Sequence, residues 1–220
     1  MEETQMKINK DKRIGRVLFI VEGSRYEFSL LKKIFVDIFH YDYIEKRRNR
    51  PDRFINGTDK YSRVAVINTR ESNIKDISEN EEYLDQLYEF LLEKYDYPVD
   101  QSAVYFLFDR DPESNTDRDK IRYYILNMKD PYENDSFLRA GQLLLSYPSL
   151  ESYTITALDP DSKDLHFDLG KDAKQYIADH SEIQLNKLDE DAIEYAAKKF
   201  ITFISEMDIP VDLDHFECAS

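Results

Sequence analysis

Apolar positions along the 220-residue chain fall into two patterns, and the change from one to the other marks the elements. Arg16-Val17-Leu18-Phe19-Ile20-Val21, Arg63-Val64-Ala65-Val66-Ile67-Asn68 and Val104-Tyr105-Phe106-Leu107-Phe108 are short continuous apolar runs. Such runs belong to strands buried on both faces of a helix-covered parallel sheet. Between them the spacing lengthens to that of a helix. Phe28, Leu31, Phe35 and Ile38, widened by Leu30, Ile34 and Phe39, predict a helix from Ser24 to about His40. Ser78 as N-cap, followed by Tyr83, Leu84, Leu87, Phe90, Leu91 and Leu92, predicts a second helix ending near Tyr95. Asp117 is placed to cap a third, carrying Ile121, Tyr124 and Ile125 and running through Met128. Helical crossovers imply parallel neighbours, so the three apolar runs should lie side by side in one sheet. The fold class is α/β, a mainly parallel central sheet flanked by helices, with a helical C-terminal part.

The remaining segments are read from weaker signals. Met1 to Gly15 is polar and reads as a loose leader, and residues 40–62 have no clean period. Gly141 to Ser146 is a short strand or buried segment. Pro148 near a helix start, with Glu151 in the first turn, makes Tyr147 to Ile155 a strand-to-helix junction. Asp159 to Gly170 is an acidic loop, Ala173 to Ile177 suggests a short helix, and Asp189 to Met207 predicts a longer one. The tail after Pro210 should be loose. The expected organisation is a leader over 1–15, an α/β core over 16–158 with a basic insertion at 40–62, and a helical extension over 159–220.

Charge changes this picture locally. The net charge is −15 and the pI near 4.7, which opposes general attraction to nucleic acid or to an anionic membrane. Contact with a nucleic acid must therefore be local, and Lys46, Arg47, Arg48, Arg50 and Arg53 form the one dense basic cluster. It is either a solvated loop or a backbone-phosphate contact, with Tyr41, Tyr43 and Phe54 as stacking neighbours. Cys218 is the only cysteine, so there is no disulfide framework and no thiolate zinc site. The expectation is a cytoplasmic protein without a membrane span.

The candidate chemistry sits where strands end. Pro112 ends the third apolar run and leaves Asp109 and Asp111 at its C-terminal edge, where open α/β sheets place ligands. Residues i and i+2 share a side of a strand, so both carboxylates can face one point. Converging carboxylates repel each other unless a cation stands between them, and Mg²⁺ is the simplest such cation. Glu22, before Gly23, ends the first run in the same manner. The competing reading makes each of these a polar turn residue, and makes Glu151 a partner of the helix dipole.

Val21-Glu22-Gly23-Ser24-Arg25-Tyr26-Glu27 and Leu107-Phe108-Asp109-Arg110-Asp111 together resemble the Toprim fold of topoisomerases, primases and overcoming-lysogenization-defect nucleases. The resemblance is closest to the Toprim-like RloB and AbiL-type phage-defence proteins, which add an Asn-Pro-x-Phe-Glu-x-Trp segment. Here that segment reads Tyr147-Pro148-Ser149-Leu150-Glu151-Ser152-Tyr153, keeping Pro148 and Glu151 and replacing the other three. The similarity spans about Arg16 to Ile155. It implies a nuclease dependent on Mg²⁺ or Mn²⁺ that cuts DNA or RNA in anti-phage defence. In that case Asp109 and Asp111 ligate metal, Glu22 ligates metal or acts as general base, and Glu27 and Glu151 complete or position a second ion. Arg25 and Arg110 would offset developing charge. The resemblance further implies a partner ATPase of the ABC or AAA type, since this chain has no P-loop, and it admits a homodimer. The rival reading is a non-catalytic, degenerate Toprim module that docks on such an ATPase through its acidic surface.

Overall fold

The structure, a computed structural model, describes residues 5–23, 25–44, 51–68, 81–110, 113, 116–128, 130–132, 141–146, 149–159, 162, 165, 167–196 and 216–219. The main sheet contains β2 (Arg16–Val21), β3 (Asp42–Ile44), β4 (Asp52–Ile55), β5 (Arg63–Asn68), β6 (Ala103–Asp109) and β7 (Gln142–Ser146). Their order is β3-β4-β5-β2-β6-β7. The four strands β5, β2, β6 and β7 are parallel, and β3 and β4 add an antiparallel edge beside β5. The three apolar runs are therefore neighbours, with Val17 opposite Val64 on one side and Ala103 on the other.

Side-chain alternation divides the sheet between two cores. Leu18, Ile20, Ala65, Ile67, Val104, Phe106 and Phe108 face α2 (Glu81–Tyr95) and α3 (Arg118–Asn127), packing on Leu84, Leu91, Ile121 and Tyr124. Each fully buried aliphatic or aromatic side chain contributes roughly 1.5–3 kcal/mol relative to exposure. The opposite face, with Val17, Val21, Val64 and Val66, packs against Phe28, Leu31 and Phe35. Phe28 and Leu31 lie on α1 (Tyr26–Lys32), which continues as a π-helical segment over Lys33–Ile38. That segment closes with Phe39 N–H donating to Ile34 O at 3.0 Å, and the chain turns at His40, whose φ is 56°. The expected cap is present on α3: Asp117 accepts from Lys120 N–H at 3.0 Å.

Residues 40–62 are not a plain loop, because β3 and β4 lie within them. Asp52 and Phe54 both point inward on β4, and a buried aspartate hides the alternation by which a strand is recognised. Gly141 sets the start of β7: its φ is +152°, and a Cβ there would stand 2.4 Å from the Phe106 ring. Only glycine lets the strand begin across that ring.

Neither end of the chain is loose where it is described. β1 (Gln5–Ile8) pairs antiparallel with β8 (Phe216–Ala219), a partner no local pattern could announce. The leader is also pinned to the 190–196 helical turns. Buried Glu194 accepts from Ile8 N–H at 2.7 Å and from Lys7 Nζ at 2.8 Å, and Lys10 pairs with Glu190. The C-terminal part contains α4 (Glu151–Leu158) and α5 (Gly170–Asp179), joined by a small core of Ile155, Ala173 and Ile183. Among the described residues no helix is long and apolar enough to cross a membrane.

Candidate carboxylate site

Four acids meet at the C-terminal edge of β2 and β6. Glu22 directly follows β2, and its backbone N–H still reaches Leu107 O of β6 at 3.1 Å. Its side chain turns to the same strand: Glu22 Oε2 accepts from Asp109 N–H at 2.8 Å. Asp109, the last residue of β6, accepts through Oδ1 from Leu150 N–H at 2.9 Å and from the Ser146 hydroxyl. Its carboxylate is thereby fixed between the end of β7 and the start of α4.

Glu27 enters from the first turn of α1 and is buried. Gly23 N–H donates to Glu27 Oε1 at 3.0 Å, and a Cβ on residue 23 would come within 2.4 Å of Glu27 Oε2. A side chain at residue 23 would thus displace the Glu27 carboxylate from its bond with Gly23 N–H. Glu151 opens α4 and is also buried, with Lys174 Nζ of α5 3.9 Å from its Oε1. A bond from the Tyr26 hydroxyl to Thr154 Oγ1, 2.6 Å long, ties α1 to α4 behind these acids.

The electrostatics follow from burial and crowding. Burial pushes the Glu22 carboxyl up to about 7; the charges of Asp109 and Glu27 add to the rise, while the Asp109 N–H bond and Lys174 oppose it. Asp109 is pushed up to about 6 by burial and then by the charges of Glu151 and Glu27, against the bonds from Ser146 and Leu150 N–H. A carboxyl near 7 exchanges protons at neutral pH, which suits it to accept one from water. A positive charge entering this edge would relieve the repulsion that adds to the rise of both groups.

The structure therefore brings Glu22, Glu27, Asp109 and Glu151 to one edge. Asp111 lies outside the described residues, as do Lys46, Arg47, Arg48, Arg50, Tyr147 and Pro148. Among the described residues no three His, Cys, Asp or Glu side chains stand close enough together to hold a metal ion. Arg53 is not a loop residue but part of β4, with its guanidinium 4.3 Å from the centre of the Tyr95 ring. Arg25 is exposed at the start of α1, and Arg110 leaves β6 with its N–H on Ser146 O at 2.8 Å. Sequence reasoning missed Lys174. Its only signal is the i, i+3 pair Lys171 and Lys174 on α5, where Lys171 reaches Glu113 at 2.7 Å. Comparison with protein-family models, with curated proteins and with solved structures finds no match.

Proposed function

We propose that the chain is a metal-dependent nuclease that hydrolyses phosphodiester bonds in DNA or RNA, with the carboxylate edge as its active site. The observation that carries this reading is the pairing of two half-buried acids, Glu22 and Asp109, whose proton affinities are raised by partial burial and by neighbouring carboxylates. Glu22, Asp109 and Asp111 would hold Mg²⁺ or Mn²⁺, with Glu27 and Glu151 beside them. When bound, such an ion polarises the phosphoryl oxygen and acidifies its water. Glu22 is suited to take the proton of the attacking water, while the bond from Asp109 N–H keeps its carboxylate oriented. Ser146 and Leu150 N–H hold Asp109 in place, so its geometry does not depend on the ligand. Lys174 supplies positive charge near Glu151, with Arg25 and Arg110 adjacent in sequence to the acids.

The resemblance to the Toprim-like phage-defence proteins supports an anti-phage role beside a separate ABC or AAA-type ATPase. The basic stretch from Lys46 to Arg53 supplies the local phosphate contact that a chain of charge −15 needs. The test is to incubate the purified protein with mixed DNA and RNA and Mg²⁺ or Mn²⁺, with and without the ATPase. Cleavage that disappears in Glu22→Gln and Asp109→Asn supports the reading.

One observation favours the rival reading of a docking module: among the described residues no three ligating side chains are grouped closely enough for a metal. Calorimetry separates the two. Binding of Mn²⁺ that is lost in Asp109→Ala supports the nuclease, and absence of binding at millimolar Mn²⁺ leaves the docking module.

A further inference from the structure

We propose a second binding site, for a small planar aromatic anion, on the α1 face of the sheet below the carboxylate edge. β2 lies in the middle of the sheet, where both faces of a strand should be covered, yet Phe19 is only half-buried. The cause is a cavity of about 310 Å³ that opens over β2 and β6. Its size is at the lower end of small-molecule sites, and on β2 its wall ends at Phe19, roughly 10 Å of strand from Glu22. Phe19, Phe35, Phe39 and Tyr105 supply its walls. Phe19 and Tyr105 stack with ring centres 5.6 Å apart, while Phe35 meets Phe19 and Phe39 at 6.2 and 6.0 Å in tilted contacts. A flat ring entering this space finds both faces and edges of aromatic partners, the geometries such rings prefer.

The charge of the ligand is set by the mouth. Lys12 lines the cavity, and the exposed Tyr132 stands beside it. Three of the four leader cations are committed elsewhere: Lys7 to Glu194, Lys10 to Glu190 and Arg13 to Asp59. Among the described residues the Lys12 ammonium has no carboxylate partner, although the chain carries a net charge of −15. A cation at the mouth of an aromatic cavity, with no carboxylate partner among the described residues, matches a ring bearing a carboxylate or similar anion.

Calorimetry with 2-naphthoate tests this site, with naphthalene-2-carboxamide and cyclohexanecarboxylate as controls. The expected result is one saturable site for 2-naphthoate, at least fivefold weaker binding of the amide, and no binding of the non-aromatic acid. Lys12→Gln, at an exposed position, should weaken 2-naphthoate at least fivefold and leave the amide unchanged. Leu144→Trp, which places a ring in the cavity from the edge strand β7, should abolish binding of both aromatic probes. No saturable binding, equal binding of cyclohexanecarboxylate, or indifference of 2-naphthoate to Lys12→Gln overturns the proposal. If Leu144→Trp fails to melt cooperatively, the three probes on the wild type and on Lys12→Gln decide alone. None of these readouts depends on the nuclease reading.

Discussion

Asp109 donates its backbone N–H to Glu22 Oε2 at 2.8 Å, so the last residue of one central strand orients the acid that follows its neighbour. The two positions are 87 residues apart in sequence, and the parallel register of β2 and β6 is what brings them together. Substitutions that preserve shape should keep this link. Gln at 22 still offers an acceptor, and Asn at 109 still offers Oδ1 to Leu150 N–H. We expect Glu22→Gln and Asp109→Asn to melt no lower than wild type without metal, to lose any rise in melting temperature caused by Mg²⁺ or Mn²⁺, and to lose cleavage. A clear fall in metal-free melting temperature, with activity following the folded fraction, would mark these acids as structural partners instead.

The raised carboxyls predict a pH dependence with a definite sign. Glu22 moves from an ordinary 4.5 to about 7, and Asp109 from 3.8 to about 6. Between those values the folded state holds protons that the unfolded state has released. Stability of the metal-free protein should therefore fall as pH rises from about 4 to 7; the two shifts convert in full to roughly 6 kcal/mol, and partial exposure of both groups reduces this to a few kcal/mol. Urea titrations across this range should find a shallower fall in Glu22→Gln. Saturating Mg²⁺ at pH 8 should restore the loss in the wild type only.

Gly23 supplies a steric test. Gly23→Ala places a methyl group against the Glu27 carboxylate, which must leave Gly23 N–H, and should cost about 1 kcal/mol, as loss of one hydrogen bond does. Glu27→Ala removes the obstacle while leaving Gly23 N–H without its acceptor. The double variant should therefore be more stable than the sum of the two single losses predicts, by roughly 1 kcal/mol or more in a double-mutant cycle. Additive losses would show that the two residues do not touch in solution.

Glu194 offers a fourth prediction, far from the carboxylate edge. It is buried and holds both Lys7 and the backbone of Ile8. Glu194→Ala should cost roughly 1–3 kcal/mol and expose the amide of Ile8 to hydrogen exchange, because a charged acceptor and its donor are both lost. Glu194→Gln should recover part of that stability by keeping the bond to Ile8 N–H.

The sequence made the centre of the sheet legible because β2, β5 and β6 are continuous apolar runs whose ends are marked by Glu22-Gly23, Asn68 and Asp109. Their parallel order followed from the crossovers alone. The antiparallel edge was not legible, since Asp52 on β4 is a charged residue turned inward and β3 is only three residues long. Pairing of β1 with β8 was equally hidden: it joins segments about 200 residues apart, and each is too short to declare itself. Of the acids gathered at the strand edge, Glu22, Asp109, Glu27 and Glu151 were named from strand ends and motif. Lys174 was not, because its place beside Glu151 depends on how α5 packs rather than on any local pattern.

The position of β2 between β5 and β6 also sets an order of events during synthesis. β2 is complete at Val21 and its first neighbour at Asn68, but the second neighbour is made only over Ala103–Asp109. At translation rates of about 5–20 residues per second, the Val21 strand waits with one unsatisfied edge for roughly 2–8 s after β5 emerges. That edge, Arg16-Val17-Leu18-Phe19-Ile20-Val21, is an open template for another copy of itself. A nascent chain stalled before Ala103 should accordingly self-associate, and one stalled well beyond Asp109 should not.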